Sequence, residues 1–198
     1  MITYAATANA GKLRELRAIF AGTPLRPTKP RKYDEVVETA ETYEGNAILK
    51  AQSLAGALRA RGVVARVLAD DSGLEVDALG GRPGVYSARY GGPKLDWPQR
   101  RAALLAEMRG VPPFRRAARF VCALALVEPN GEPMTARGEV EGYLLDTERG
   151  TGGFGYDPLF LYLPLGRSFA ALTEKEKNAV SHRRRAADAL LAALRARV

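Results

Sequence analysis

Five short stretches of this 198-residue sequence combine residue types that can do chemistry on an anion. The first is Thr7-Ala8-Asn9-Ala10-Gly11-Lys12 at a strand-to-helix junction. Free amide groups at a helix N-terminus point outward, and the helix dipole favours an anion there. Thr7 and Asn9 add side-chain donors, Gly11 lets a ligand approach the backbone, and Lys12 adds charge. The stretch is not a Walker A loop, because the leading Gly and the Ser/Thr after the Lys are missing. A capped helix with a solvated lysine is the plain alternative. The second stretch places Asn46 and Lys50 four residues apart on one helix face. A lysine near a helix start opposes the dipole, which hints at an anionic partner. The third, Asp70-Asp71-Ser72-Gly73, follows an apolar strand, where α/β sheets collect ligands. Two adjacent carboxylates suit a hard cation such as Mg²⁺, which takes one or two carboxylates plus phosphates and waters.

The fourth stretch is Thr151-Gly152-Gly153-Phe154-Gly155-Tyr156-Asp157-Pro158. Glycines around two aromatic residues give a backbone that can close over a flat ligand, with a ring available for stacking, and a turn with a core-anchoring aromatic is the plain alternative. The fifth is Lys175-Glu176-Lys177-Asn178-Ala179-Val180-Ser181-His182-Arg183. In helical register Arg183 shares a face with Ala187, Leu190 and Leu194, so it points toward the interior or a cleft and requires an anionic or carbonyl acceptor. His182 beside it is a base, a donor or a bystander.

Several elements must position these residues. Residues 2–6 read as a strand and 12–20 as a helix, with Asn9 as its cap. Residues 26–32 are a Pro-rich connection and 33–37 a candidate strand. Residues 42–61 predict a helix with Ala47, Ala51, Leu54 and Leu58 as its apolar stripe, stopped at Gly62. Residues 63–69 read as a buried strand and 74–78 as a further strand. A helix over 95–109 comes next, then two longer strands over 117–127 and 134–145, joined by a turn at Pro129-Asn130-Gly131. The loop 150–158 leads to a final helix over 178–195. Alternating strands and helices followed by a hairpin predict an α/β or α+β fold with a mixed sheet.

Composition narrows the classes. Hydrophobic residues make up 46% and charged residues 26%, the mixture of a soluble globular protein. A chain of this length buries a real core without disulfides, so one domain is the default. The single cysteine, Cys122, excludes an intrachain disulfide, and the single histidine excludes a multi-imidazole zinc site. No apolar run reaches bilayer length and no signal peptide is visible, which predicts a cytoplasmic protein with no membrane partner. The net charge of +8 suits a nucleic-acid binder or an enzyme with a polyanionic substrate. The excess is regional. Residues 100–119 hold six Arg against one Glu, and residues 181–198 hold five Arg against one Asp. Only Arg183 among these falls in a candidate site.

Taken together, the five stretches resemble the inosine triphosphate pyrophosphatase family, in the family's order and over nearly the whole chain. The matching segments are 7–12, Asn46 to Ala51, Asp70-Asp71-Ser72-Gly73 through Ser87-Ala88-Arg89-Tyr90, 152–158 and 177–183. The resemblance implies a single domain over 1–198 with an elongated two-lobed mixed α/β fold. It places a twisted sheet between flanking helices, an active site in the cleft between lobes, and a homodimer. It implies Mg²⁺-dependent hydrolysis of non-standard purine nucleoside triphosphates (XTP, ITP, dITP) to the monophosphate and pyrophosphate. Carried over by position, Thr7, Ala8, Asn9, Ala10, Gly11, Lys12 and Lys50 hold the triphosphate, and Ser72 lies near the substrate. Asp71 is the general base and a metal ligand, and Glu38 is the second metal ligand. Phe154 stacks on the purine, with Gly155 and Tyr156 beside it. Asp157, Lys177, His182 and Arg183 complete the pocket, donors from the last two favouring a 6-keto purine over adenine. Two positions depart from the family pattern. Gly45 stands where a Glu is usual before Asn46, with Glu44 one place earlier, and Ala40 stands where a Gly is usual. A pyrophosphatase with a pyrimidine or modified-nucleotide preference is the neighbouring alternative. A basic nucleic-acid-binding module is the distant one, and the resemblance implies no stable nucleic-acid partner.

Overall fold

The computed structural model describes residues 1–129 and 131–197, so Asn130 of the expected turn lies outside the described residues. The main elements are β1 (Thr3–Ala6), α1 (Ala10–Ile19), β2 (Pro27–Thr28), α2 (Tyr43–Arg59), β3 (Arg66–Val76), α3 (Trp97–Glu107), β4 (Ala117–Val127), β5 (Met134–Leu144), β6 (Phe160–Tyr162), β7 (Arg167–Ser168), α4 (Glu174–Val180) and α5 (His182–Arg195). The seven strands pair in the order β2-β1-β3-β4-β5-β6-β7. β1 runs parallel to β2 and β3, whereas β5–β6 and β6–β7 are antiparallel, so the sheet is mixed as expected. No helix among the described residues is long and apolar enough to cross a membrane.

The chain divides into two compact units. The first comprises Met1–Asp71, Cys122–Gly138 and His182–Val198, and its core gathers Leu16, Phe20, Leu68, Leu124, Ala187 and Leu190. The second comprises Ser72–Val121 and Glu139–Ser181, with a core built on Leu74, Leu104, Phe120, Phe160 and Phe169.

Helix starts follow their caps. Asn9 accepts from the Lys12 amide at 3.0 Å, and Thr42 accepts from the Gly45 amide at 3.1 Å. Asp96 and Gln99 form a capping box at α3.

Four readings change. The Pro-rich connection over 26–32 contains β2, whose Pro27 and Thr28 pair with Thr3 and Tyr4 of β1. Residues 33–37 form no strand; the segment is irregular, with Val37 76% exposed and therefore without apolar contacts to hold a strand in place. The two strands expected on either side of Asp70–Gly73 are one strand, β3. The final helix is two, because Ser181 is extended (φ −69°, ψ 161°) between α4 and α5.

Most of the arginine excess of residues 100–119 is spent on structure. Arg100 donates to the carbonyls of Tyr90 and Gly92, and buried Arg116 to those of Leu144, Leu145 and Met108. Arg119 reaches Glu75, Asp77 and Glu141.

Candidate active site

Because β3 continues through the acidic pair, its side chains alternate, and Asp70 and Asp71 leave on opposite faces. This corrects the expectation that the two carboxylates act side by side at a strand end. Each has its own cations, which removes the repulsion two exposed neighbours would suffer.

Asp70 meets α1 and α5. Lys12 Nζ lies 2.6 Å from Asp70 Oδ1, and Arg183 Nε donates to Asp70 Oδ2 at 2.7 Å. The Cys122 thiol also donates to Oδ2, at 3.2 Å. Arg183 Nη1 donates to Glu15, a buried acid one helical turn beyond Lys12. The inward arginine expected from helical register is therefore buried, and its acceptors are carboxylates of the chain. Burial works to raise the Asp70 carboxyl pKa, but Arg183 and then Lys12 hold it well below the usual range. Burial, with the charge of Asp70, pushes the Cys122 thiol well up, so it stays protonated and donates.

Asp71 meets α2. Lys50 Nζ is 2.7 Å from Asp71 Oδ1 and 2.9 Å from Glu38 Oε1. Asn46 donates to Asp71 Oδ2 at 3.4 Å while its own Oδ1 accepts from the Ala40 amide at 3.0 Å. Asn46 thus ties the irregular segment carrying Glu38 to α2. Burial works against the Lys50 ammonium, but the charges of Asp71 and then Glu38 raise its pKa, and it is a cation. Burial is the largest influence on Asp71 and raises its pKa above the ordinary carboxylate value against the pull of Lys50.

The two departures from the family pattern lie against each other. A Cβ on Gly45 would sit 2.6 Å from the Ala40 Cβ and 3.0 Å from Thr42 Oγ1. Glu44 is paired with Arg137 at 3.2 Å. Glu38 is therefore the acid that shares Lys50 with Asp71.

Just before α1, Thr7 Oγ1 accepts from the Asn9 amide at 3.1 Å. A pocket of about 350 Å³ beside it is lined by Thr7, Ala8, Ala10, Arg14, Arg17 and Lys29. His182 is buried at the start of α5. All these groups belong to the first unit.

The second unit carries Ser72 and the Gly-rich loop. Phe154 is flanked by Gly153 (φ +68°) and Gly155 (φ +66°), left-handed conformations that favour glycine. A Cβ at Gly153 would collide with the Asp157 side chain. Asp157 Oδ2 accepts from the Phe154 amide at 2.8 Å and from buried Lys177, whose ammonium lies 4.7 Å from the Phe154 ring centroid. Tyr156 is buried, and its hydroxyl donates to the Ser87 carbonyl at 3.1 Å.

Sequence reasoning missed Glu15, Cys122, Trp97 and Arg101. Glu15 alone had a signal, an acid at i+3 from Lys12 on the inner face of α1. The others face their partners only in the folded chain.

Fold and site define a class first: a mixed α/β protein with lysines and carboxylates gathered beside a helix N-terminus. The chain belongs to the Ham1 family, whose model matches residues 3–193. It is 44% identical over 196 residues to the dITP/XTP pyrophosphatase of Bacillus subtilis (strain 168), covering 93% of this chain and 91% of that one. It is 48% identical over 184 residues to the dITP/XTP pyrophosphatase of Geobacter sulfurreducens, covering 91% and 90%. Among solved structures, the Staphylococcus aureus Ham1 protein aligns with a TM-score of 0.83 at 36% identity over 100% of both chains. A nucleoside-triphosphatase / dITP/XTP pyrophosphatase from Mycobacterium abscessus aligns with a TM-score of 0.72 at 43% identity, covering 96% and 99%.

Proposed function

We propose that this enzyme hydrolyses the non-standard purine nucleoside triphosphates XTP, ITP and dITP to the monophosphate and pyrophosphate, removing them from the cytoplasmic nucleotide pool. The relatives named dITP/XTP pyrophosphatases support the substrate class. The observation that carries the chemistry is the pair Asp71 and Glu38 converging on Lys50 Nζ.

Hydrolysis of a phosphoanhydride needs positioning and charge neutralisation more than covalent help. Thr7, Ala8, Asn9, Ala10 and Gly11 offer donors and close backbone approach to the phosphates. Lys12 and Lys50 offset their charge. Asp71 accepts the proton of the water that attacks the α-phosphorus, and the β- and γ-phosphates leave as pyrophosphate. A carboxylate whose basicity is raised by burial is suited to that task. Ser72 lies beside it in sequence, near the substrate.

Asp71 and Glu38 would hold Mg²⁺, which when bound supplies charge neutralisation at the phosphates. Their oxygens fit a hard cation, and they converge on a position filled by an ammonium. Among the described residues no group of three ligands is arranged for a metal, so phosphate and water would complete the shell.

Phe154 stacks on the purine, with Gly155 and Tyr156 shaping its pocket and Asp157 and Lys177 fixing the ring. A donor of His182 meets the 6-keto group of hypoxanthine or xanthine and opposes the 6-amino group of adenine, while Arg183, bonded to Asp70 and Glu15, holds the start of α5 in place beside it. The enzyme acts as a homodimer.

A panel of nucleoside triphosphates with Mg²⁺, scored for pyrophosphate against orthophosphate, tests this reading. Pyrophosphate from XTP, ITP and dITP, little turnover of ATP, and loss of activity on chelation are expected. Equal turnover of ITP and ATP, a pyrimidine preference, or orthophosphate as the product would overturn it.

A further inference from the structure

The Gly-rich loop is held from a second side by α3, through residues outside every stretch that pointed to chemistry. Arg101 Nη1 donates to the Gly155 carbonyl at 2.9 Å, and Arg101 Nε donates to Glu148 at 2.8 Å. The Arg101 side chain is only 12% exposed. Trp97, one helical turn earlier, stands edge-on to Tyr156 with centroids 5.4 Å apart and planes at 83°. Its ring lies 3.6 Å from where a Gly155 Cβ would be. The capping box and a proline in the first turn fix the start of α3, so both side chains project from a rigid support.

We infer that Arg101 and Trp97 are positioning residues for the nucleobase, clamping Gly155 and Tyr156 so that the Phe154 ring is preset for stacking. This rests on the proposed function and deepens it. Asp157 and Lys177 fix the Phe154 amide and one ring face, but Gly155 follows directly and has left-handed freedom. Without a partner for its carbonyl, the Gly155–Tyr156 peptide can rotate, and through the permissive Gly155 that motion reaches the Phe154 ring next to it. A guanidinium that bonds a carbonyl and a carboxylate at once removes that rotation before the substrate arrives, which lowers the ordering cost of binding. The clamp touches neither the phosphates nor Asp71, so its effect falls on base binding and base choice.

The sole tryptophan of the chain gives a direct readout. In the wild-type protein, ITP is expected to change Trp97 emission saturably. Arg101→Leu is expected to raise the dissociation constant and KM for ITP about tenfold, the loss of one charge-assisted hydrogen bond, with kcat within about twofold. The preference for ITP over ATP should fall in the same variant. Arg101→Lys, which can keep one of the two bonds, should lie between. Glu148→Gln, a milder change that loosens the same guanidinium, should raise KM in the same direction and serves if Arg101→Leu does not fold. An unchanged KM and ITP preference in Arg101→Leu, or in Glu148→Gln where that variant stands in, would overturn the inference. So would a loss confined to kcat. The dissociation constant from Trp97 emission is read without turnover. Tight ITP binding without pyrophosphate release would refute the proposed reaction while leaving the clamp testable.

Discussion

Asp70 and Asp71 are adjacent in sequence yet serve opposite faces of β3, Asp70 taking Lys12 and Arg183 and Asp71 taking Lys50 and Asn46. One carboxylate is consumed in holding α1 and α5 to the strand. The other is placed against α2 and Glu38, where the chemistry is proposed.

Asp70→Ala leaves Arg183 and Lys12 without the carboxylate they share, and Arg183 is only 1% exposed. Removing one partner of a buried ion pair costs about 3–5 kcal/mol, so denaturant unfolding should show a loss of that size. A loss below about 1 kcal/mol would mean that Glu15 alone satisfies the arginine.

Asp71→Asn keeps the shape of the side chain and its neighbours but removes the proposed proton acceptor. Pyrophosphate release from ITP should fall by at least about 10²-fold with nucleotide affinity largely kept. An active variant would take Asp71 out of the base role.

Gly45 and Ala40 should behave as a coupled pair. Gly45→Ala puts a Cβ 2.6 Å from the Ala40 Cβ, an overpacking worth about 1–3 kcal/mol. In the Ala40→Gly background most of that clash is gone, and the helical preference of Ala over Gly, about 1 kcal/mol, should then dominate. The effect of Gly45→Ala is thus expected to change sign between the two backgrounds, read as the midpoint of thermal unfolding. Additive effects would show that the backbone of residue 40 moves freely.

Tyr90 supplies an alkaline limit to stability. Burial, then its 2.5 Å hydrogen bond to Glu107, raises its pKa from 10.0 to about 12. The unfolded chain therefore ionises first. The contribution of Tyr90 is complete below pH 10 and is lost as pH rises toward 12. Tyr90→Phe should flatten this decline relative to the wild-type protein, as seen in unfolding midpoints across that window. An unchanged slope would refute the assignment.

Much of the fold was legible because its signals are local. Asn9 and Thr42 cap the helices they precede, the strand 117–127 has the observed bounds, and the alternation of elements sets the α/β class. The Gly-rich turn was legible as backbone, since Gly153 and Gly155 take left-handed conformations, but its neighbour Tyr156 anchors in the core. The Asp70–Gly73 segment misled, because Asp, Ser and Gly favour turns when exposed. In β3 the cations of three helices, Lys12 of α1, Lys50 of α2 and Arg183 of α5, neutralise the carboxylates, and the strand runs on. Residues 33–37 misled in the opposite way. An alternating pattern needs a neighbouring strand and a buried face, and Val37 has neither.

The sequence by itself determined the set of charged groups, the caps and the order of the motifs, all of which depend on residue type and near neighbours. Only the tertiary structure decided which cation meets which acceptor: Arg183 with Asp70 across 113 positions, Lys50 with Asp71 across 21, Arg101 with the Gly155 carbonyl across 54. Charge pairing is not directional along the chain. A lysine or arginine is compatible with any carboxylate, and the choice is made by burial, which makes an unpaired charge too costly to leave.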